Sequence, residues 1–316
     1  MTTTKYQGVI LAAGQGSRMG PFGDEVPKPI APICNQPLLA YQLESMRGLE
    51  IDDVIIVIGH LGQHIVDALG DGSAFGLRIR YVEQKEQLGL AHAVGQLERH
   101  LDSPFLLMLG DIFFEVSDLP AMIATFEQED TAAVLAVKNE PDEAAIKRNF
   151  AIVLNDDNTV RRVIEKPRHV PNSLKGCGLY LFDHRIFEAV RRTPRTAMRD
   201  EYELTDSIQI LIDYDYPVRI ANVVEWDVNL TYVDDLIRCC VHQLKKLGKP
   251  SLVGEGCTLA EGVELIDTVL GDNVTIPGPT RLERCVVLSG VTLNKADTYT
   301  GAVITADAVL EAGANP

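Results

Sequence analysis

Basic charge, tryptophan and long apolar runs are what this 316-residue chain has little of. Lys and Arg number 29 against 45 Asp and Glu, for a net charge of −16 and a pI near 4.8, with a single Trp. Nucleic-acid binding needs a basic surface, so the balance argues against such a partner. A small anion can still be held where Arg and Lys are concentrated in one cleft. No apolar stretch approaches the ~20 residues that span a bilayer. The start, Met1–Tyr6 (MTTTKY), runs into a strand-like segment without a signal-peptide pattern. A cytoplasmic protein with no membrane partner is the expectation. The six cysteines (Cys34, Cys177, Cys239, Cys240, Cys257 and Cys285) include no C-x-x-C pair, and no His stands at zinc-ligand spacing. Reduced, mostly buried thiols are expected, and neither a zinc site nor a disulfide scaffold.

What is present is a succession of short apolar runs and amphipathic segments. Strands are predicted at Gln7–Leu11, Val54–Ile58, Pro104–Leu109 and Ala132–Val137, with helices at Leu38–Leu49 and Gly89–Leu101. Buried runs separated by helical patterns predict a largely parallel sheet with helices on both faces. Ligands bind such sheets at the carboxyl ends of the strands. Between Asn149 and Phe182 the pattern changes to shorter strands, Phe150–Leu154, Val160–Ile164 and Gly178–Phe182. They predict a lid or substrate-binding layer over the sheet. Helices return at Ile186–Arg192 and Leu204–Ile212. After Lys249-Pro250, apolar residues recur at Val253, Leu259, Leu265, Leu270, Ile276, Leu282 and Leu288, mostly six apart. That period, with Gly and β-branched filling, predicts a short left-handed parallel β-helix that must stack on the rest of the chain or a partner.

Three constellations carry chemistry. The loop Leu11-Ala12-Ala13-Gly14-Gln15-Gly16-Ser17-Arg18-Met19 follows the first strand and precedes Pro27-Lys28-Pro29. Glycines there let backbone N–H groups approach phosphate oxygens, and Arg18 and Lys28 add positive charge. A Walker loop would need G-K-[ST], which does not occur. A dinucleotide loop would enter a helix directly, whereas Pro21, Pro27, Pro29 and Pro32 keep this stretch extended. Gly110-Asp111 closes a buried strand and Trp226-Asp227 lies far along the chain; paired carboxylates can hold Mg²⁺ against triphosphate oxygens. Glu165-Lys166-Pro167 closes a third strand. Taken alone, the glycine loop is weak evidence, and each acidic constellation reads better as a helix cap or a solvated strand end.

Together and in this order the motifs resemble the sugar-1-phosphate nucleotidyltransferase family. LAAGQGSRM…PKP is followed by LGLAHAV (Leu88–Val94), LGD (Leu109–Asp111), EKP (Glu165–Pro167), GLYLFD (Gly178–Asp183), ELTDSIQ (Glu203–Gln209) and WDVNLTYVDDL (Trp226–Leu236). LGDGSAFG and YVEQKEQLGLAHA look most like the glucose-1-phosphate thymidylyltransferase and UTP-glucose-1-phosphate uridylyltransferase branch. The resemblance implies a Rossmann-like, mostly parallel mixed sheet flanked by helices, the nucleotide-diphospho-sugar transferase fold. A catalytic domain over 1–240 and a hexapeptide-repeat tail over 251–316 are expected. It also implies that Leu11, Ala13, Gly14, Gly16, Ser17 and Arg18 cradle the triphosphate and that Lys28 neutralises its developing charge. Gln84 and Gly89 would read a pyrimidine, since an amide matches the adjacent N–H and C=O of thymine or uracil. Asp111 and Asp227 would hold Mg²⁺. Ala151, Glu165, Lys166, Gly178 and Arg199 would face the sugar phosphate, with Lys166 also catalytic. The partners implied are dTTP or UTP and a sugar 1-phosphate, in a homo-oligomer, dimer or tetramer.

Four positions depart from the family pattern. Ala13 stands where the thymidylyltransferase branch has Gly, Phe150-Ala151 replaces Tyr-Gly beside the sugar, Asp200 replaces Gly after the arginine, and Asn229 replaces Gly after the second aspartate. These leave open an amino sugar, mannose or heptose phosphate. A non-catalytic sensor would be expected to lack Arg18, Lys28, Asp111 or Asp227, and all four are present. Acyl transfer by the tail is not expected, because the last histidine is His242.

Overall fold

The computed structural model describes residues 5–14, 16–197, 200–293 and 297–313. Among them, nine strands form one sheet: β1 (Gln7–Ala12), β2 (Asp53–Ile58), β3 (Arg78–Glu83), β4 (Phe105–Leu109), β5 (Ala133–Asn139), β6 (Phe150–Leu154), β7 (Val160–Glu165), β8 (Leu174–Phe182) and β9 (Val218–Asn222). Every residue of β1 is buried, as a strand covered by helices on both faces requires. Strands β3, β2, β1 and β4 lie side by side and parallel, with Leu11 opposite Val57 on one side and Leu109 on the other. β8 joins β4 antiparallel, pairs with β5 and β6, and β9 extends the sheet beyond β5 in parallel. The sheet core holds Val9, Ile55, Phe105, Leu107, Leu135, Phe182 and Phe187, all buried.

The strands of the 149–182 region do not form a layer over the sheet. β6, β7 and β8 continue it edge to edge, because their backbone groups pair in its plane. β8 also starts four residues before the expected Gly178, taking in Leu174-Lys175-Gly176-Cys177. The predicted helix Gly89–Leu101 is shorter, Leu90–Gly95, followed by a 3₁₀ turn at Glu98–His100.

Two compact units emerge that are not contiguous in sequence: Met1–Gly14 with Gln42–Asp227, and Gln15–Tyr41 with Val228–Pro316. In the second, the helix Val233–Lys246 is amphipathic and buries Leu236, Ile237, Cys239, Cys240 and Leu244. The strands from Ser251 to Ile304 form short parallel ladders in which each residue pairs with one 17 positions on, such as Ser251 with Thr268 and Val269 with Val286, and Val309–Glu311 closes the last of them antiparallel to Ala302–Ile304. Ladders of two or three rungs run through Val253–Leu270, Leu259–Ile276 and Leu265–Leu282–Tyr299. The inward column expected at Leu288 passes instead through Leu270, Val287 and Ile304, all buried. A five-residue step therefore recurs before Val287. The Asn35 amide donates to the Leu270 carbonyl at 2.8 Å, tying the segment 16–41 to these ladders. All six thiols are free, five of them buried. No helix among the described residues is long and apolar enough to cross a membrane.

Candidate functional site

In the first unit, two turns leave the same edge of the sheet. Leu11 of β1 is paired with Leu109 of β4, and the Gly110 N–H donates to the Leu11 carbonyl at 2.8 Å. A Cβ on Gly110 would lie 2.9 Å from that oxygen, so glycine is required for so close an approach. The chain therefore delivers Ala13-Gly14 and Asp111 from adjacent strand ends. The Ala13 carbonyl accepts from Gln87 Nε2 at 2.6 Å, while Gly14 is exposed with its Cβ position open. The buried Gln42 amide donates to the carbonyls of Leu109 and Ile112, both at 2.9 Å, and so clamps the turn that carries Asp111.

Gln84 follows β3 and is nearly buried; its amide lies 3.3 Å from His92 Nδ1, and His92 Nε2 lies 3.4 Å from the Gln96 amide. The imidazole thus sits between two glutamines and fixes the plane of Gln84. Gly89 has φ +107, and a Cβ there would lie 2.5 Å from the Tyr202 carbonyl. Hydrogen bonds from Tyr202 N–H to Leu88 and from Ala91 N–H to Tyr202 pin this turn. A cavity of about 710 Å³ opens against His92, Gln96, Arg99 and His100, but none of the sequence-derived site residues lines it.

Glu165 ends β7 opposite Phe150 and accepts from Thr205 Oγ1 at 3.3 Å. Lys166 takes the left-handed region at φ +41, an unusual place for a side-chain-bearing residue, held by its N–H bond to Asn149 and 3.7 Å from the Glu165 carboxylate. Ala151 is fully buried, paired with Ile164 and Lys175. The Phe150 ring fills the space above Gly176, where a Cβ would come within 1.9 Å of it. Gly178 has φ +69 in the irregularity of β8 and packs against Leu109 and Ile112. Burial, then the Glu165 charge, pushes the Tyr180 phenol up.

Asp227 is engaged by groups that the sequence reading did not single out. Both of its oxygens accept from Lys175 Nζ, at 2.7 and 2.6 Å. Lys138 Nζ lies 3.2 Å from Asp227 and 2.9 Å from Glu140, and Lys175 is 4.0 Å from Glu140. Burial opposes the charge on Lys138, but its Glu140 and Asp227 partners outweigh that and raise its pKa. Glu140 is held below its ordinary range because its hydrogen bonds and the two ammonium charges outweigh burial. Cys177 beside them is pushed up by burial and then by Asp227, so it is an inert thiol. A lysine inside an otherwise buried strand was the signal available in the sequence.

In the second unit, Gly16 adopts φ +68 and accepts from the Met19 N–H across the 3₁₀ turn Ser17–Met19, which leaves Arg18 exposed. The Lys28 stem runs past Gly16, 3.5 Å from where a Cβ would sit. Arg199 lies outside the described residues, as does Gln15. The buried Asn229 amide oxygen has no hydrogen-bond partner.

Do these residues fit a divalent cation? No three His, Cys, Asp or Glu side chains among the described residues converge as metal ligands. Mg²⁺ keeps several waters and takes one or two carboxylates together with substrate phosphates. Asp111, at the strand end beside the glycine turn, suits a metal that arrives on a triphosphate. Asp227 as arranged does not, since a cation there must displace the Lys175 ammonium.

Comparison with known proteins adds an independent line. A family model described as Nucleotidyl transferase matches residues 7–227. Among curated relatives, a low-salt glycan biosynthesis nucleotidyltransferase, Agl11, of Haloferax volcanii is 31% identical over 83% of this chain and 73% of its own. A glucose-1-phosphate thymidylyltransferase of Streptomyces griseus is 33% identical over 88% and 83%. A Haloferax volcanii UTP–glucose-1-phosphate uridylyltransferase, AglF, is 32% identical over 72% and 93%. A Bacillus anthracis crystal structure assigned to glucose-1-phosphate thymidylyltransferase shares the fold, with a TM-score of 0.68 at 23% identity, over 75% of this chain and 94% of that one.

Proposed function

The chain belongs to the nucleotidyl transferase family, and from that premise we propose that it transfers a nucleoside monophosphate from dTTP or UTP to a sugar 1-phosphate, glucose 1-phosphate first among them. It is by class a sugar-1-phosphate nucleotidyltransferase. The observation that carries the reading is the delivery of Ala13-Gly14 and Asp111 from two hydrogen-bonded strand ends, a glycine turn for phosphates beside a carboxylate. In the proposed reaction a phosphate oxygen of the sugar 1-phosphate attacks the α-phosphorus in line and pyrophosphate leaves, with no covalent enzyme intermediate. Leu11, Ala13, Gly14, Gly16, Ser17 and Arg18 bind the triphosphate, and Lys28 meets its developing charge. Gln84 and Gly89 read the base. Glu165, Lys166, Gly178 and Arg199, with the Ala151 backbone, orient the sugar phosphate. Catalysis of this kind is positioning and charge stabilisation.

Transferases of this family generally use a divalent metal, and Mg²⁺ is the proposed one. It would be held at Asp111 and would supply neutralising charge to the phosphate oxygens, whereas Asp227, the second carboxylate that the resemblance implies, is engaged by Lys175. The 17-residue ladders support a short left-handed β-helix as the form of the tail, and a cytoplasmic homo-oligomer completes the proposal. A second reading, the same chemistry on another sugar, is favoured by Phe150 over Gly176 and by buried Ala151, which alter the wall beside the sugar.

A panel of nucleoside triphosphates crossed with sugar 1-phosphates, read as pyrophosphate release, tests both. Asp111→Asn is expected to lower release by about 10²–10³-fold, the scale of losing one transition-state charge contact. No release with any pair would sink the reading; turnover confined to a sugar other than glucose would select the second.

A further inference from the structure

Strand β8 is nine residues long and buries eight of them, one of which is Lys175. In register it lies between Ala151 of β6 and Lys138 of β5, so the three form a row across the sheet. Adjacent ammonium groups repel unless carboxylates intervene, and Asp227 and Glu140 do so here. Side chains of Lys175 and Asp227 are each only 4% exposed, those of Lys138 and Glu140 14% and 11%. Two positive and two negative charges make a neutral, buried set. A divalent cation reaching Asp227 would bring two further positive charges beside both ammonium groups. The other carboxylate near Lys175, Glu140 at 4.0 Å, is already bonded to Lys138 at 2.9 Å.

We propose that Lys175 is a positioning residue that acts as the fixed cation of Asp227, so that the divalent metal of the reaction contacts the protein through Asp111 and the triphosphate alone. This rests on the nucleotidyl-transfer reading above. A pair of carboxylates sharing metal is thereby replaced by one carboxylate on the metal and one on an ammonium. Lys175 then holds both oxygens of Asp227, which an uncharged residue in β8 could not do.

Mn²⁺ binding followed by electron paramagnetic resonance distinguishes the two arrangements, on the full chain with and without a non-hydrolysable triphosphate analogue. In the nucleotide complex Asp111→Asn is expected to weaken Mn²⁺ binding by about 10–100-fold and Asp227→Asn by less than about twofold, against the range for altered metal surroundings. In the nucleotide-free protein Lys175→Met is expected to create a Mn²⁺ site that the Lys175→Met/Asp227→Asn double variant loses. The double variant, which leaves neither charge alone, replaces Asp227→Asn if the single variant does not fold. Equal weakening by Asp227→Asn and Asp111→Asn overturns the proposal, as does a folded Lys175→Met that gains no site. The nucleotide-free arm reads independently of turnover, so failure of pyrophosphate release would count against the reaction and not against this arrangement.

Discussion

The nine-stranded sheet and the C-terminal ladders both stack parallel strands, yet they use strand length in opposite ways. Sheet strands run five to nine residues, and the central ones are buried along most of their length. Their ends therefore meet helices and turns on a rigid frame, and Ala13, Asp111, Glu165 and Lys166 all lie at such ends. Ladder strands run two or three residues, and each coil stacks on the next. The first coil has no predecessor: Val253 and Leu259 stay 43% and 39% exposed, while Leu270 and Ile276 above them are fully buried. The difference teaches that a repeat gains its core by stacking, whereas a sheet strand gains it from both faces at once.

The contrast can be broken most strongly in the ladders. Leu282→Ala removes the buried middle of the column Leu265–Leu282–Tyr299 and is expected to cost about 2–5 kcal/mol, read by urea unfolding. A negligible change would mean that the ladders hold together without that core. A smaller effect is expected on the sheet side from Gly89→Ala. Its φ of +107 and the Tyr202 carbonyl 2.5 Å from the new Cβ predict a loss of about 1–3 kcal/mol and a raised KM for the nucleotide. An unchanged KM would separate that turn from base recognition.

The smallest effect concerns acid. Glu140 titrates below its ordinary 4.5, so its folded form binds the proton more weakly than its unfolded form. Its contribution is present above about pH 4.5 and is lost as pH falls through the lowered value. Thermal unfolding of Glu140→Gln should therefore fall short of the wild type at neutral pH and converge with it on acidification. A gap constant across that window would remove Glu140 from the charge cluster.

Much of the sheet was legible because β-branched runs such as Val54–Ile58 announce a buried strand. β3 was missed: Arg78–Glu83 alternates charged and apolar residues, which a run-based reading passes over. The first half of β8 was missed because Lys175 and Gly176 have low strand preference, and the cross-strand partners Lys138 and Ala151 decide their state. The apolar spacing that predicts a helix over Gly89–Leu101 persists through the 3₁₀ turn at Glu98–His100, so the spacing alone does not mark where the helix stops at Gly95.

By itself the sequence determined the family, the strand-end positions of Ala13, Asp111 and Glu165, and the period of the tail, since each is written in local order and spacing. Only the tertiary structure decided that β6–β8 extend the sheet, that the segment 16–41 clusters with the ladders through Asn35, and that Lys175 and Lys138 meet Asp227. Those depend on residues far apart in the chain, brought together by pairing and by the cost of leaving a buried charge alone.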